Sequence, residues 1–140
     1  MVFLGLIFLL MGAGALGWAV YQLYFDPIVD PKIAQREVSD LRDQWGKQPV
    51  DGKPIPGEAM ALLRIPKFGD SFEQPVLAGT TQATLKKGLG WFDGTAEPGQ
   101  VGNFAVAGHR GSKGPLAPIM TLSKGDQVVV ETRTNIYTYD

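Results

Sequence analysis

The chain has 140 residues, 13 Lys and Arg against 14 Asp and Glu, one histidine and no cysteine. That length fits one domain, and the absence of cysteine excludes disulfides and thiolate metal sites. A net charge of -1 with scattered cations argues against nucleic acid as a partner, a single histidine excludes a multi-histidine metal centre, and no EF-hand spacing occurs; neither metal nor cofactor is expected.

The first 25 residues carry no charge, and Gln22 is their one amide side chain. A bilayer is spanned by about 20 apolar residues in a helix, so residues 1–25 read as a transmembrane anchor contacting membrane lipid. A cleaved signal peptide is the rival, with Ala13-Gly14-Ala15 imitating its small-residue site. The apolar run continues past that point through Leu16, Trp18, Val20, Leu23 and Phe25, and Trp18, Tyr21, Tyr24 and Phe25 fit an interfacial aromatic belt. No Lys or Arg precedes the run, so charge does not set its orientation.

Asp26-Pro27 and Asp30-Pro31 end the apolar helix. Asp30 is a good N-cap with Pro31 at the first helical position. Val38, Leu41 and Trp45 then recur at helical spacing, and Gly46 closes the helix. It serves either as a spacer or as an element packed on the following domain. Residues 47–57, with Pro49, Gly52, Pro54, Pro56 and Gly57, form a linker, so 26–57 is a juxtamembrane helix and linker. From 58 to 140 short β-type segments alternate with turns. Strands are expected near 60–66, 74–78, 103–108, 126–133 and 135–140, with a helical segment over 84–92 and a short helical turn over 116–122. The Gly- and Pro-rich stretch from Lys86 to Asn103 is either a functional loop or an ordinary connection.

The segment Gly99-Gln100-Val101-Gly102-Asn103-Phe104-Ala105-Val106-Ala107-Gly108-His109-Arg110-Gly111 puts the sole histidine at the end of a short apolar run. A histidine leaving a strand into a glycine-flanked turn is placed either as a general acid–base facing a cleft or as a structural cap. Arg110 points to the opposite side if the strand continues. Trp91 and Phe92 are core aromatics or packing beneath the loop, and Asn103 and Gly108 set backbone geometry.

Leu63-Arg64-Ile65-Pro66-Lys67-Phe68-Gly69, Pro75-Val76-Leu77-Ala78-Gly79-Thr80, Thr84-Leu85-Lys86-Lys87-Gly88-Leu89-Gly90-Trp91-Phe92 and Pro98-Gly99-Gln100-Val101-Gly102-Asn103 through Ala107-Gly108-His109-Arg110 resemble, in order and spacing, the first half of the sortases. The class E group of actinobacteria is the nearest match, over roughly 58–140. The resemblance implies a mainly β fold, an incomplete, mostly antiparallel sortase-like β-barrel preceded by the transmembrane and juxtamembrane helices. It implies a membrane-anchored cysteine transpeptidase attaching LPXTG- or LAXTG-type surface proteins to the cell wall, single-pass, with its catalytic domain extracellular. His109 takes the position of the catalytic histidine, with a sorting-signal peptide and a cell-wall amine acceptor as partners; substrate-binding residues are not assigned.

The family's cysteine, in a Thr-Leu-X-Thr-Cys segment, and its arginine lie on later strands. Thr121-Leu122-Ser123 repeats two letters of that segment but continues as Lys124-Gly125, and Ser123 is not expected to act as nucleophile. With about five strands before Asp140, where the family has eight, the chain reads as the N-terminal part of a larger domain. It is expected to be inactive alone and open to a complementing C-terminal fragment. The alternative is a non-catalytic, membrane-tethered sortase-like binding module.

Overall fold

The computed structural model describes residues 2–24, 29–46, 54–111 and 113–140. Asp26-Pro27, Phe25 and most of the expected linker therefore lie outside the described residues.

Helix α1 runs Val2–Tyr24. Within it, Phe3–Tyr21 is apolar and long enough to cross a bilayer, and none of that window is buried by the rest of the chain. Helix α2 runs Pro31–Trp45 and starts as its sequence dictates. The Asp30 carboxylate accepts from the Lys32 amide at 2.9 Å, which satisfies one of the donors a helix leaves unpaired at its N-terminus. Gly46 closes the helix in a right-handed conformation, its N–H bonded to the Gln44 carbonyl.

Six strands follow: β1 Ala59–Arg64, β2 Glu73–Ala78, β3 Leu89–Trp91, β4 Val106–Ala107, β5 Val128–Glu131 and β6 Ile136–Tyr139. They form one sheet in the order β4-β3-β2-β1-β5-β6. Every neighbouring pair is antiparallel except β2–β3, which is parallel. A parallel pair needs a crossover, and the segment holding helix α3, Gln82–Leu85, supplies it. The helical segment expected over 84–92 thus divides. Thr81 caps α3 through its side chain, and the helix stops before the Gly88-Leu89-Gly90 run, whose two glycines oppose helix continuation. Leu89–Trp91 instead pairs with Val76, Leu77 and Ala78. Short 3-10 turns occupy Pro66–Phe68 and Ala117–Thr121.

Strand alternation sorts the sheet's two faces. Ala61, Leu63, Ile65, Val76, Ala78, Leu89, Trp91 and Val130 form the inner core. Leu62 and Leu77 point the other way and are equally buried, because α2 packs on β1 and β2. Ala34 and Leu41 are the buried residues of α2. Of the two roles open for this helix, packing on the following domain is the one observed.

Charges frame that contact. Arg42 of α2 reaches Glu73 at 2.6 Å and Glu131 at 3.8 Å, Arg64 pairs with Glu131 and lies 3.9 Å from Glu73, and Lys87 meets Glu37 at 2.9 Å. All are partly exposed, where a pair contributes about 0–1 kcal/mol. Fully burying one leucine is worth roughly 1.5–3 kcal/mol. The apolar contact therefore holds α2 down, and the ion pairs fix its register.

Candidate functional site

His109 lies two residues beyond the end of β4. β4 is an edge strand of the described sheet, paired through Ala107 to Gly90 and through Val106 to Trp91. The imidazole residue is half-buried, while Arg110 beside it is exposed. Gly108 explains how the chain turns there. A Cβ at that position would stand 2.5 Å from Leu89 Cδ2 and 2.8 Å from Leu116 Cδ1, so the backbone crosses directly over two apolar side chains of the core rim. The chain then folds back, and the His109 carbonyl accepts from the Leu116 amide at 3.2 Å. His109 thus starts a closed loop whose far end, Leu116, packs against the inner core.

The connection from β3 to β4 is an ordered structure in its own right. Trp91 is buried, and its indole Nε1–H donates to the Ala96 carbonyl at 3.2 Å. It fills both expected roles, as core aromatic and as support beneath the loop. Phe92 is 45% exposed. The Phe92 amide donates to the Ala105 carbonyl at 3.0 Å, and the Ala96 amide to the Asn103 carbonyl at 3.1 Å. Asn103 therefore contributes backbone geometry, as its position suggested.

Ser123 is exposed and opens a turn. Its amide donates to the Asp126 carboxylate at 2.6 Å, and Lys67 holds the same carboxylate at 2.5 Å. The hydrogen bond from Lys67, then that from the Ser123 amide, keep Asp126 below the usual carboxylate range. This is a turn-bracing cluster between the Pro66–Phe68 turn and β5. Among the described residues no group of three or more His, Asp or Glu could hold a metal ion.

Two features had no counterpart in the sequence reading. The charge network on α2 joins residues far apart in the chain, so no local pattern marks it. The Glu97–Gln100 turn meets Tyr137 and Tyr139 of β6. Pro98-Gly99 signals that turn, but nothing signals its contact.

The Sortase domain family model matches residues 63–140. Sortase SrtE1 of Streptomyces coelicolor is 36% identical over 146 aligned residues, covering 97% of this chain and 41% of that protein. Sortase E from Streptomyces avermitilis superposes with a TM-score of 0.58 at 44% identity, over 60% of this chain and 56% of that one. The crystal structure of Sortase E1 from Streptomyces coelicolor with a tripeptide in its active site gives a TM-score of 0.55 at 36% identity, over 62% and 57% of the two chains. The chain thus spans less than half the length of SrtE1. The family match covers every strand but most of β1, and the six-stranded sheet is the incomplete barrel expected of it: the chain belongs to the sortase family.

Proposed function

We propose that this chain is the N-terminal part of a membrane-anchored sortase, a transpeptidase that attaches surface proteins bearing an LPXTG- or LAXTG-type signal to the cell wall. His109 is its acid–base residue, α1 its single-pass anchor, and the sheet domain lies outside the cell. The observation that carries the reading is the position of His109, the one histidine of the chain, just past a sheet edge in a region matching the sortase domain.

In the reaction that the family implies, a cysteine thiolate attacks the carbonyl carbon of the signal's threonine. The Thr–Gly amide bond breaks and a thioester forms. The imidazolium gives its proton to the departing glycine amine. A cell-wall amine then attacks the thioester, loses a proton to the imidazole, and releases the thiolate. Imidazole suits both transfers because it changes charge near neutral pH. The peptide bound in the active site of the Streptomyces coelicolor enzyme supports a sorting-signal peptide as substrate here.

The nucleophile is not among these 140 residues, which contain no cysteine. In this reading the cysteine and arginine strands come from further sequence, either continuous with this chain or on a complementing fragment. The second reading is a non-catalytic, membrane-tethered sortase-like binding module.

One experiment separates the two. The chain is incubated with quenched LPXTG and LAXTG peptides, alone and with a C-terminal fragment carrying the Cys and Arg strands. No cleavage is expected from the chain alone. Cleavage is expected on complementation, and its loss in His109→Ala. Turnover by the complemented protein that survives His109→Ala overturns the assignment of His109. Peptide binding without turnover on complementation favours the binding module.

A further inference from the structure

β4 and β6 stand at the two edges of the described sheet, yet the loop that feeds β4 touches β6. Glu97–Gln100 is a β-turn closed by the Gln100 amide on the Glu97 carbonyl at 3.1 Å, and the Gln100 side chain accepts from the Glu97 amide at 3.1 Å. Pro98 is buried at the second position and Gly99 has φ +79° at the third, the pattern of a type II turn. Gly99 donates its amide to the Tyr139 hydroxyl at 3.2 Å. A Cβ on Gly99 would fall on the Tyr137 ring. Tyr137 and Tyr139 lie opposite Val130 and Val128 of β5, so both tyrosines share the face that carries the core residue Val130.

The contact matters for His109 because β4 is weakly held. It is two residues long and paired on one side, and short edge segments with few bonds are among the first to open. What feeds it is better fixed. From Gly99 the chain runs through the Ala96–Asn103 bond, the support of Trp91 beneath Ala96, and the Phe92–Ala105 and Ala105–Thr95 bonds, the last at 3.4 Å. Ala105 is the residue before β4. A clamp at Gly99 is therefore transmitted through a bonded loop to the start of the strand that ends at His109.

We infer that Tyr137 and Tyr139 are positioning residues for His109, acting through the Pro98–Gly99 turn that bridges the two sheet edges. The functional meaning of this rests on His109 being the acid–base residue, but the coupling itself does not.

Because the chain has a single histidine, its imidazole gives one set of carbon-bound proton resonances. The test uses the full chain in detergent micelles with labelled histidine, at one fixed pH. Tyr139→Phe removes the acceptor and keeps the ring. Expected are roughly five-fold faster hydrogen exchange at the Gly99 amide and a shift or broadening of the His109 resonances. Lys67→Ala, in the turn-bracing cluster, should change neither. Gly99→Ala should reproduce the His109 effect more strongly; because it also strains the turn, Tyr139→Phe decides the outcome. Faster exchange at Gly99 with His109 resonances coincident with wild type overturns the inference, as does unchanged exchange at Gly99. Neither result bears on peptide cleavage, so failure here is distinguishable from failure of the sortase reading.

Discussion

Arg42 on α2 and Glu73 on β2, 31 residues apart in the chain, are joined at 2.6 Å. Arg42 also lies 3.8 Å from Glu131 and Glu73 lies 3.9 Å from Arg64, and the Arg64–Glu131 pair closes the square. Helix α2 is thereby tied to β1, β2 and β5 in one place.

The relative weight of charge and burial at that place is measurable. Leu41→Ala deletes a buried side chain that is 4% exposed and should cost about 2–4 kcal/mol. Arg42→Ala removes a partner that is 44% exposed and should cost less than about 1 kcal/mol, with the difference shrinking at high salt. Urea unfolding of the two variants at low and high ionic strength checks both. An Arg42→Ala cost equal to that of Leu41→Ala would reverse the account of what holds α2.

Gly108→Ala should destabilise the domain by about 1–3 kcal/mol through overpacking against Leu89 and Leu116. Thermal unfolding reads the loss. A variant pairing Gly108→Ala with Leu116→Ala should recover part of it, since the added methyl then has space.

Asp126 fixes the sign of one pH effect. Its folded-state pKa lies below the ordinary 3.8 because of the Lys67 hydrogen bond and then the Ser123 amide. Its contribution is present above 3.8 and is lost as pH falls through the lower folded-state value. The stability difference between wild type and Asp126→Asn should therefore be constant near neutral pH and shrink in acid. A difference that grows on acidification would show the opposite shift.

Ser123→Ala should leave activity of the complemented protein unchanged, since the Ser123 contact to Asp126 is through its backbone amide. His109→Ala should reduce turnover at least about 100-fold, the lower end for a lost acid–base group. Both follow from peptide cleavage rates, and cleavage by the 140-residue chain alone that is lost in Ser123→Ala would move the nucleophile to Ser123.

If α1 is a membrane anchor, full-length chain should stay with the membrane fraction through carbonate extraction. Its release into the soluble fraction would refute the anchor.

Legibility of the sequence followed the range of the interactions. Helix α2 was readable at both ends because Asp30, Pro31 and Gly46 act on their immediate neighbours. β1 and β2 were readable as short apolar runs bounded by turn residues, and β5 and β6 from their β-branched and aromatic residues. β3 was not, because a three-residue strand with a central glycine has no period of its own and exists through its pairing with β2. The position of His109 at the end of an apolar run was plain in the sequence, and Gly108 beside it was legible as a backbone residue. The tyrosines meeting Gly99 were not, since the partners are 40 residues apart in the chain and no local pattern encodes such a distance.

The central place of β1 in the sheet has a consequence for the order in which the domain is made. β1 pairs with β2 across a short connection, but Arg64 at its end meets Glu131 of β5 only after 67 further residues have been synthesised. A chain emerging N-terminus first can assemble α2, β1, β2, β3 and β4 while one side of β1 still waits for its neighbour. Closing so long a loop costs entropy before any contact repays it. The β5–β6 hairpin is therefore the last of these six strands' pairings to form, and it brings together Glu131 for the two arginines and the tyrosines for Gly99 in a single docking event. Pulse-labelled hydrogen exchange during refolding should show amides of β1 and β2 protected ahead of those of β5 and β6.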